Sequence, residues 1–501
     1  MTARSKTHRR PATFAAVCAI ALLSGCSLAP LYERPAAPIP AGYPVATTSL
    51  ADLRTVGGEA APAIRSTAWC TQFPDPALRR LVAAALEHNR DLKLAAARVE
   101  EARALHGVQS ASRLPTVALE GTTTHPARNN ESAHQAGVSL AAYELDFFGK
   151  AKNLSDAALH EYLATEQAQR AARISVVAEV VRGYVLERAA AARVDLARRA
   201  VASRTAAVAL LNRRVAAGVS SPLEMEQARS LVGSADTDLI EQKLVHARAE
   251  HALALLTGYG DRAGTKDAPP FTSPAFGSGW GVARAGLPSE LLTARPDIVA
   301  AEQRLQAANA QIGAARAAFF PSIRLTAMGG VASGELGKLF TPGSGALQFV
   351  PQVSLPIFDG GRNQANLDLA RARENSAVIE YERAIQTAFR EVSDALAGQA
   401  SLERDVAART ALREVEARRR TMTMNRYLAG AVGYLEVLDV ERSLFAADQA
   451  LLDARRARLE NAAALYRSGS RAAGIRPARH SADGATVSAR SPWNVHKAAL
   501  P

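Results

Sequence analysis

The residues able to do chemistry are few, and their spacing supports little of it. The ten histidines are scattered along the chain. His246 and His251 stand five apart, off the i, i+4 spacing that sets two metal ligands on one helix face. Gly337-Lys338-Leu339 has the Gly-Lys pair of a phosphate loop. It lacks the upstream glycine and the hydroxyl that would hold Mg²⁺. Gly277-Ser278-Gly279-Trp280-Gly281 lies in a linker, without the strand and helix that a dinucleotide site requires. No catalytic group, metal site or cofactor is expected, and enzymatic activity is not.

One covalent chemistry stands out. Basic residues Arg4, Lys6, Arg9 and Arg10 precede the apolar run 14–23, which is too short to remain as a membrane helix. It closes on Leu23-Ser24-Gly25-Cys26, small residues before a cysteine, which resembles a lipoprotein processing site. Cleavage there would remove residues 1–25 as a signal peptide. Cys26 would carry diacylglycerol on its sulfur and an acyl chain on its freed amine. More than one chain matters, because a single acyl chain holds a membrane only marginally. Ser27, rather than Asp, follows the cysteine, which is similar to lipoproteins sorted to the outer membrane. Cys18 would leave with the signal, and Cys70 would remain alone as a small buried hydrophobe, so no disulfide framework is expected.

The net charge is +12, and removing the four basic residues of the signal leaves +8. Arginines alternate with acids along helical stretches, as in Arg98-Val99-Glu100-Glu101, which is the pattern of solvated helix faces. No basic run is interleaved with aromatics as nucleic-acid binding would require. Aromatics make up only 5% of the chain and alanine is frequent, favouring long helices with close backbone approach.

The elements that position these residues occur twice. A helical run from Asp91-Leu92 to Pro115 returns from Asp297-Ile298 to Pro321, with Arg98 matching Arg304 and Gly107 matching Gly313. Leu223-Glu224-Met225 returns as Leu435-Glu436-Val437. The offset is about 210 residues, far above a solenoid period, so the chain is two halves of one architecture. The expected plan is a tether at 26–68, a first repeat at 69–288, a second at 289–467, and a disordered basic tail at 468–501. The first repeat carries a helix over 76–112, a β-hairpin at 114–147, a long helix at 149–217, a return helix at 222–257 and a linker at 258–288. The second carries a helix from 289, a hairpin at 322–358, a long helix at 361–429 and a return helix at 434–467.

In the hairpins, apolar and polar residues alternate over about ten positions, as in Leu347, Phe349 and Val353 against Gln348, Gln352 and Ser354. That is the pattern of a membrane β-barrel strand and equally of any half-buried hairpin. Each long helix is free of proline and would reach about 100 Å. Summed lengths suggest that 222–257 stacks on 289–318, and 434–467 on 76–112, each pair running antiparallel to a long helix. Gly218 ends the first long helix, and Ser221-Pro222-Leu223-Glu224 forms a capping box. The second turn uses Gly430 and Gly433.

Several segments together resemble the TolC-like outer-membrane efflux proteins, and within them the NodT-type lipoproteins of RND tripartite systems. These are Phe73-Pro74-Asp75-Pro76, Asn89-Arg90-Asp91-Leu92, Gly286-Leu287-Pro288-Ser289-Glu290-Leu291-Leu292, Arg295-Pro296-Asp297-Ile298, and Leu355 to Arg362. The resemblance implies a mainly α fold with a membrane β-barrel portion. Each chain of a homotrimer would give four strands to a shared 12-stranded barrel, and long helices to a periplasmic tunnel. Physics alone demands pooling of four membrane strands, without choosing two copies or three. The implied function is the exit duct of an RND-type efflux pump in the outer membrane. The implied partners are an inner-membrane RND transporter, a periplasmic adaptor and outer-membrane lipid. The alternatives are a type I protein secretion duct, a heavy-metal cation efflux duct, or a structural lipoprotein.

The resemblance also implies acidic rings at the tunnel tip, which map onto Glu436 and Asp439, with Glu224 and Gln227 as first-half counterparts. The turns at Gly218, Ser221, Gly430 and Gly433 would then meet the adaptor. From the residues alone, Glu224 and Glu436 read rather as first-turn acids favouring the helix dipole. Val432 stands where some relatives carry an arginine, which leaves a salt-bridge lock of the tip in question.

Overall fold

The computed structural model describes residues 27–40, 43, 69–125, 132–259, 268–280 and 294–469. In chain order they form α1 (Trp69–Gln72), α2 (Pro76–His88), α3 (Arg90–Ala111), β1 (Val117–Thr124), β2 (Ala133–Leu145), α4 (Lys150–Ala216) and α5 (Pro222–Leu256). The second half follows with α6 (Pro296–Ala317), β3 (Ser322–Ser333), β4 (Gly345–Ser354), α7 (Arg362–Leu428) and α8 (Tyr434–Gly469). The signal at 1–25, Cys26, most of the tether, residues 260–267 and 281–288 of the linker, the expected helix start at 289–293 and the tail beyond Gly469 lie outside the described residues.

The helix expected over 76–112 is two helices. Asp75 starts the first by accepting from the Ala77 amide at 2.8 Å, with Pro76 at the first helical position. Asn89 stops it, with non-helical φ −59° and ψ 129°. Its side-chain oxygen accepts from Leu92 N at 3.0 Å and so caps the next helix, while its amide donates to Leu256 O at 3.0 Å. That last bond also corrects the stacking. The end of α5 abuts the start of α3, and Arg295 before α6 donates to the Ser468 carbonyl at the end of α8. Stacking is therefore within each repeat, not across repeats, and summed lengths could not separate the two arrangements.

The 67-residue helices α4 and α7 match in length, and no proline interrupts them. At 1.5 Å per residue each spans about 100 Å. Near mid-height, Val177, Val180, Val181 and Tyr184 of α4 pack with Leu78, Leu81 and Val82 of α2, Phe271 and Phe276 of the linker, and Leu459 and Tyr466 of α8. The Tyr184 hydroxyl donates to Asp75 at 2.8 Å. Cys70, on α1, is half-buried rather than buried.

The four strands form one antiparallel sheet in the order β1-β2-β3-β4. Its register sorts the two faces. Leu119 pairs with Val138, Leu140 with Ala327, Ala327 with Phe349, and Ile323 with Val353, giving one apolar face. Glu120 opposite Gly137, Glu144 opposite Arg324, and Arg324 opposite Gln352 mark the other as polar. A bulge between Leu140 and Tyr143, with Ala142 at φ 45°, keeps those faces sorted where β2 carries one extra residue. Gly137 and Gly330 allow a close approach of β2 and β3, since a Cβ at Gly330 would lie 2.2 Å from Ala136 O. The strand part of the 322–358 hairpin ends at Ser354. Pro356 has no amide to extend the ladder, and Asp359-Gly360-Gly361 turns into α7.

The tether of 26–68 is not extended free chain where it is described. Residues 27–40 lie as a strap along α6 and α7. Tyr32, Ala37 and Ile39 pack against Ile298, Leu305, Tyr381 and Ile385. Asn309 donates to Pro30 O at 3.0 Å and Arg316 to Leu28 O at 3.1 Å, satisfying strap carbonyls that have no ladder of their own. A Cβ at Gly313 would meet Ala29 N at 2.7 Å, so this glycine provides the seat for the strap.

Candidate functional site

Two turns meet at the end of the helical body farthest from the strands. Ala217 and Ala429 close the long helices, and Gly218 and Gly430 each follow at φ +74°. Val219 N donates to Arg214 O and Gly218 N to Val215 O, both at 2.9 Å. Ala431 N donates to Arg426 O at 2.9 Å and Gly430 N to Tyr427 O at 3.0 Å. Both turns are thus Schellman motifs, and both need the left-handed residue that glycine supplies without strain. Gly433 does not share this geometry. It precedes α8, and its carbonyl accepts from the Glu436 amide at 3.3 Å.

The turns share one small core of Leu211, Ala228, Leu231, Tyr427, Tyr434, Val437 and Leu438. Val432 packs against it, so it serves the tip by apolar contact. The guanidinium of Arg214 lies 4.8 Å from the Tyr427 ring centre, and Tyr427 stacks obliquely on Tyr434 at 5.4 Å. Burial, the Tyr427 hydroxyl and the Glu441 charge push the Tyr434 hydroxyl up to about 12, so it stays a neutral packing group.

The expected acids fall into different settings. Glu224 is engaged in its capping box: its amide donates to Ser221 Oγ, and its carboxylate accepts from Ser221 N, both at 3.2 Å. Gln227 is half-buried on α5. Glu436 and Asp439 are exposed on one face of α8 and line a single groove with Leu435, Met422, Arg418 and Arg426. Asp439 accepts from Arg419 Nη2 at 2.9 Å, and Arg419 also reaches Glu416 at 3.3 Å. Arg420 pairs with Glu441 at 2.6 Å and Arg413 with Asp448 at 2.8 Å. The second hairpin is therefore laced by ion pairs between its helices. Sequence reasoning missed these arginines, although pairs folded about one turn have nearly constant summed positions, and Arg413, Arg419 and Arg420 obey that rule.

Two further polar centres position the upper helices. Arg295, buried before α6, forks onto Asp297 at 2.6 and 3.0 Å and reaches Glu391 of α7 at 3.0 Å. Burial would lower its pKa, but these two carboxylates more than restore its charge. Glu302 of α6 is nearly fully covered and is held by the strap: Arg34 donates at 2.7 and 3.0 Å and Tyr32 at 3.2 Å.

Among the described residues, no helix is apolar enough to cross a membrane. The sheet has one apolar face, and its outer strands β1 and β4 are each paired on one side only within the chain. An open apolar sheet on long, tip-capped helical hairpins defines a subunit of a membrane channel that completes its barrel between chains. The comparisons agree. The outer membrane efflux protein family matches twice, at residues 81–259 and 287–469, segments that start 206 residues apart. The chain is 40% identical over 458 residues to the cation efflux system protein CusC of Escherichia coli K12, covering 90% of this chain and 97% of that protein. It is 40% identical over 462 residues to the toluene efflux pump outer membrane protein TtgI of Pseudomonas putida, covering 90% and 96%. Its fold is similar to the open state of the Neisseria gonorrhoeae MtrE outer membrane channel, with a TM-score of 0.77, 34% identity, and coverage of 88% and 98%. The chain belongs to the outer membrane efflux protein family and is an efflux channel of the outer membrane.

Proposed function

We propose that three copies pool their sheets into one 12-stranded barrel, and that their helices continue it as the periplasmic exit duct of a tripartite RND-type pump. The observation that carries this is the sheet itself. Four strands cannot close a barrel, and an unpaired strand edge cannot face lipid. Pairing β1 of one copy with β4 of the next removes both edges. The apolar face then meets lipid and the polar face, with Glu120, Arg324 and Gln348, lines the lumen.

Conduction is passive, and the inner-membrane RND transporter supplies the energy. The turns at Gly218, Ser221, Gly430 and Gly433 meet the periplasmic adaptor. The constriction lies at the same end. Glu436 and Asp439 from three chains bring six carboxylates toward one axis, a ring that favours cations and resists anions. Glu224 and Gln227 add less, because Glu224 is already engaged in its cap. The Asp439–Arg419 pair holds α8 against α7 and so serves as the lock.

Cys26 carries the diacylglycerol and N-acyl chains that fix the duct to outer-membrane lipid. The strap supports this: Ser27 donates to Asn153 at 2.7 Å, in the first turn of α4 just below the strands. The cargo is small toxic solutes, and relatives of equal similarity named for a cation and for toluene leave the class undivided. Native mass spectrometry of the detergent-extracted protein tests the assembly. Three chains with thioether-linked lipid at Cys26 are expected, and a stable monomer or dimer would overturn the shared barrel.

A further inference from the structure

We infer that Glu187, His246 and Glu250 form a binding site for a divalent transition-metal ion of the Zn²⁺ type, which staples α5 to α4. His246 and Glu250 are four residues apart on α5 and so share one face. Glu187 of α4 faces them. His246 Nε2 lies 3.1 Å from Glu187 Oε1 and 3.8 Å from Glu250 Oε1. One donor atom from each residue can be chosen so that all three lie within 4.8 Å of one another. An ion bound tetrahedrally at about 2.0–2.1 Å from nitrogen and oxygen needs donors roughly 3.3–3.4 Å apart. The triangle therefore closes with a small rotation of Glu250, which is free to make it because its side chain is 55% exposed.

A second observation points to a ligand. Glu187 is buried, with its side chain 4% exposed, and its second oxygen, Oε2, has no hydrogen-bond partner. A carboxylate so placed is costly unless a positive charge offsets it. The neighbouring Arg188 donates to the Pro269 carbonyl at 3.4 Å. One turn before His246, buried Gln242 also leaves its Oε1 without a partner. A cation seated between Glu187 and His246 would satisfy the orphaned carboxylate, and a water can take the remaining position.

The donor set chooses the ion class. One imidazole nitrogen and two carboxylates, with no sulfur, suit Zn²⁺, Co²⁺, Ni²⁺ or Cu²⁺ and not the thiophilic Cu⁺ or Ag⁺. The half-buried His246 and exposed Glu250 leave an entry from solvent. The site is a property of the first half alone. At the 212-residue offset relating α4 and α5 to α7 and α8, the corresponding residues are Gln399, Arg458 and Ala462. The second hairpin is braced by its arginine–acid pairs near the tip, and the first would be braced by metal higher up.

The test uses full-length, tag-free protein in detergent, stripped with EDTA and titrated with Zn²⁺ by calorimetry. Saturable binding of one Zn²⁺ per chain is expected, with a rise in the thermal midpoint. Glu187→Gln and His246→Ala are expected to weaken that binding by about tenfold or more and abolish the thermal shift. Glu250→Gln, at an exposed position that does not threaten folding, is expected to weaken it as well. Absence of saturable binding, or unchanged affinity and stoichiometry in Glu187→Gln and Glu250→Gln, would overturn the site.

Discussion

Removing Arg34 should release the strap from the helical body. Glu302 is 6% exposed at its side chain and accepts two bonds from Arg34, at 2.7 and 3.0 Å. Charge-assisted hydrogen bonds contribute about 1.5–3 kcal/mol, and breaking a fully buried pair costs about 3–5 kcal/mol. Arg34 itself is 49% exposed, so solvent screening discounts the upper range. A value of about 2 kcal/mol follows, or roughly a 30-fold increase in strap opening at 1.4 kcal/mol per factor of ten. Ala37→Cys in a Cys70→Ser background supplies the probe, because Ala37 packs against the α6–α7 cluster. Its thiol-labelling rate, read by peptide mass at position 37, should rise by about that factor in Arg34→Ala. It should fall back part way in Arg34→Ala with Glu302→Gln, which no longer buries an unpaired charge. A labelling rate within twofold of the parent would show that Tyr32 and Ile39 hold the strap by apolar contact alone.

Other consequences follow from the same geometry. Asn89→Ala removes the cap of α3 and the bond to the end of α5, and should lower stability by about 1–2 kcal/mol in thermal denaturation. Gly218→Ala and Gly430→Ala meet no neighbour within 4 Å, so their cost should be only the left-handed backbone, about 1–2 kcal/mol each, again read thermally. Arg295→Met removes the ion pair of Asp297 and leaves Glu391 with Arg467 alone at the α6–α7–α8 junction, and should shorten the lifetime of the trimer on heating in detergent, a loss of about 1.5–3 kcal/mol.

Much of this architecture was legible because its elements are long. Two proline-free runs announced α4 and α7 to within a residue at each end. Strand alternation placed β3 and β4, and the Ser221–Glu224 cap was readable as local chemistry. What stayed hidden depends on partners distant in sequence. The strap is rich in proline and has no periodicity, and its order comes from Glu302, Asn309 and Arg316, more than 260 residues away. The break at Asn89 was hidden in a continuous alanine-rich pattern, since its cause is a bond to Leu256. At the tip, the charge of Asp439 is met not from position 432, where Val432 packs by apolar contact, but by Arg419 on the opposite arm of the hairpin. The His246–His251 spacing does not put two ligands on one helix face, whereas His246 with Glu250 has the helical spacing, and only folding brings Glu187 to it.

The most direct test of the account is single-channel conductance of the purified protein in planar bilayers. The parent protein should insert as discrete, cation-selective channels of low conductance. Glu436→Gln with Asp439→Asn should raise that conductance and weaken the selectivity, because it removes six carboxylates and the bond to Arg419. Failure to form channels would contradict the shared barrel, and unchanged conductance in the double variant would contradict the gate.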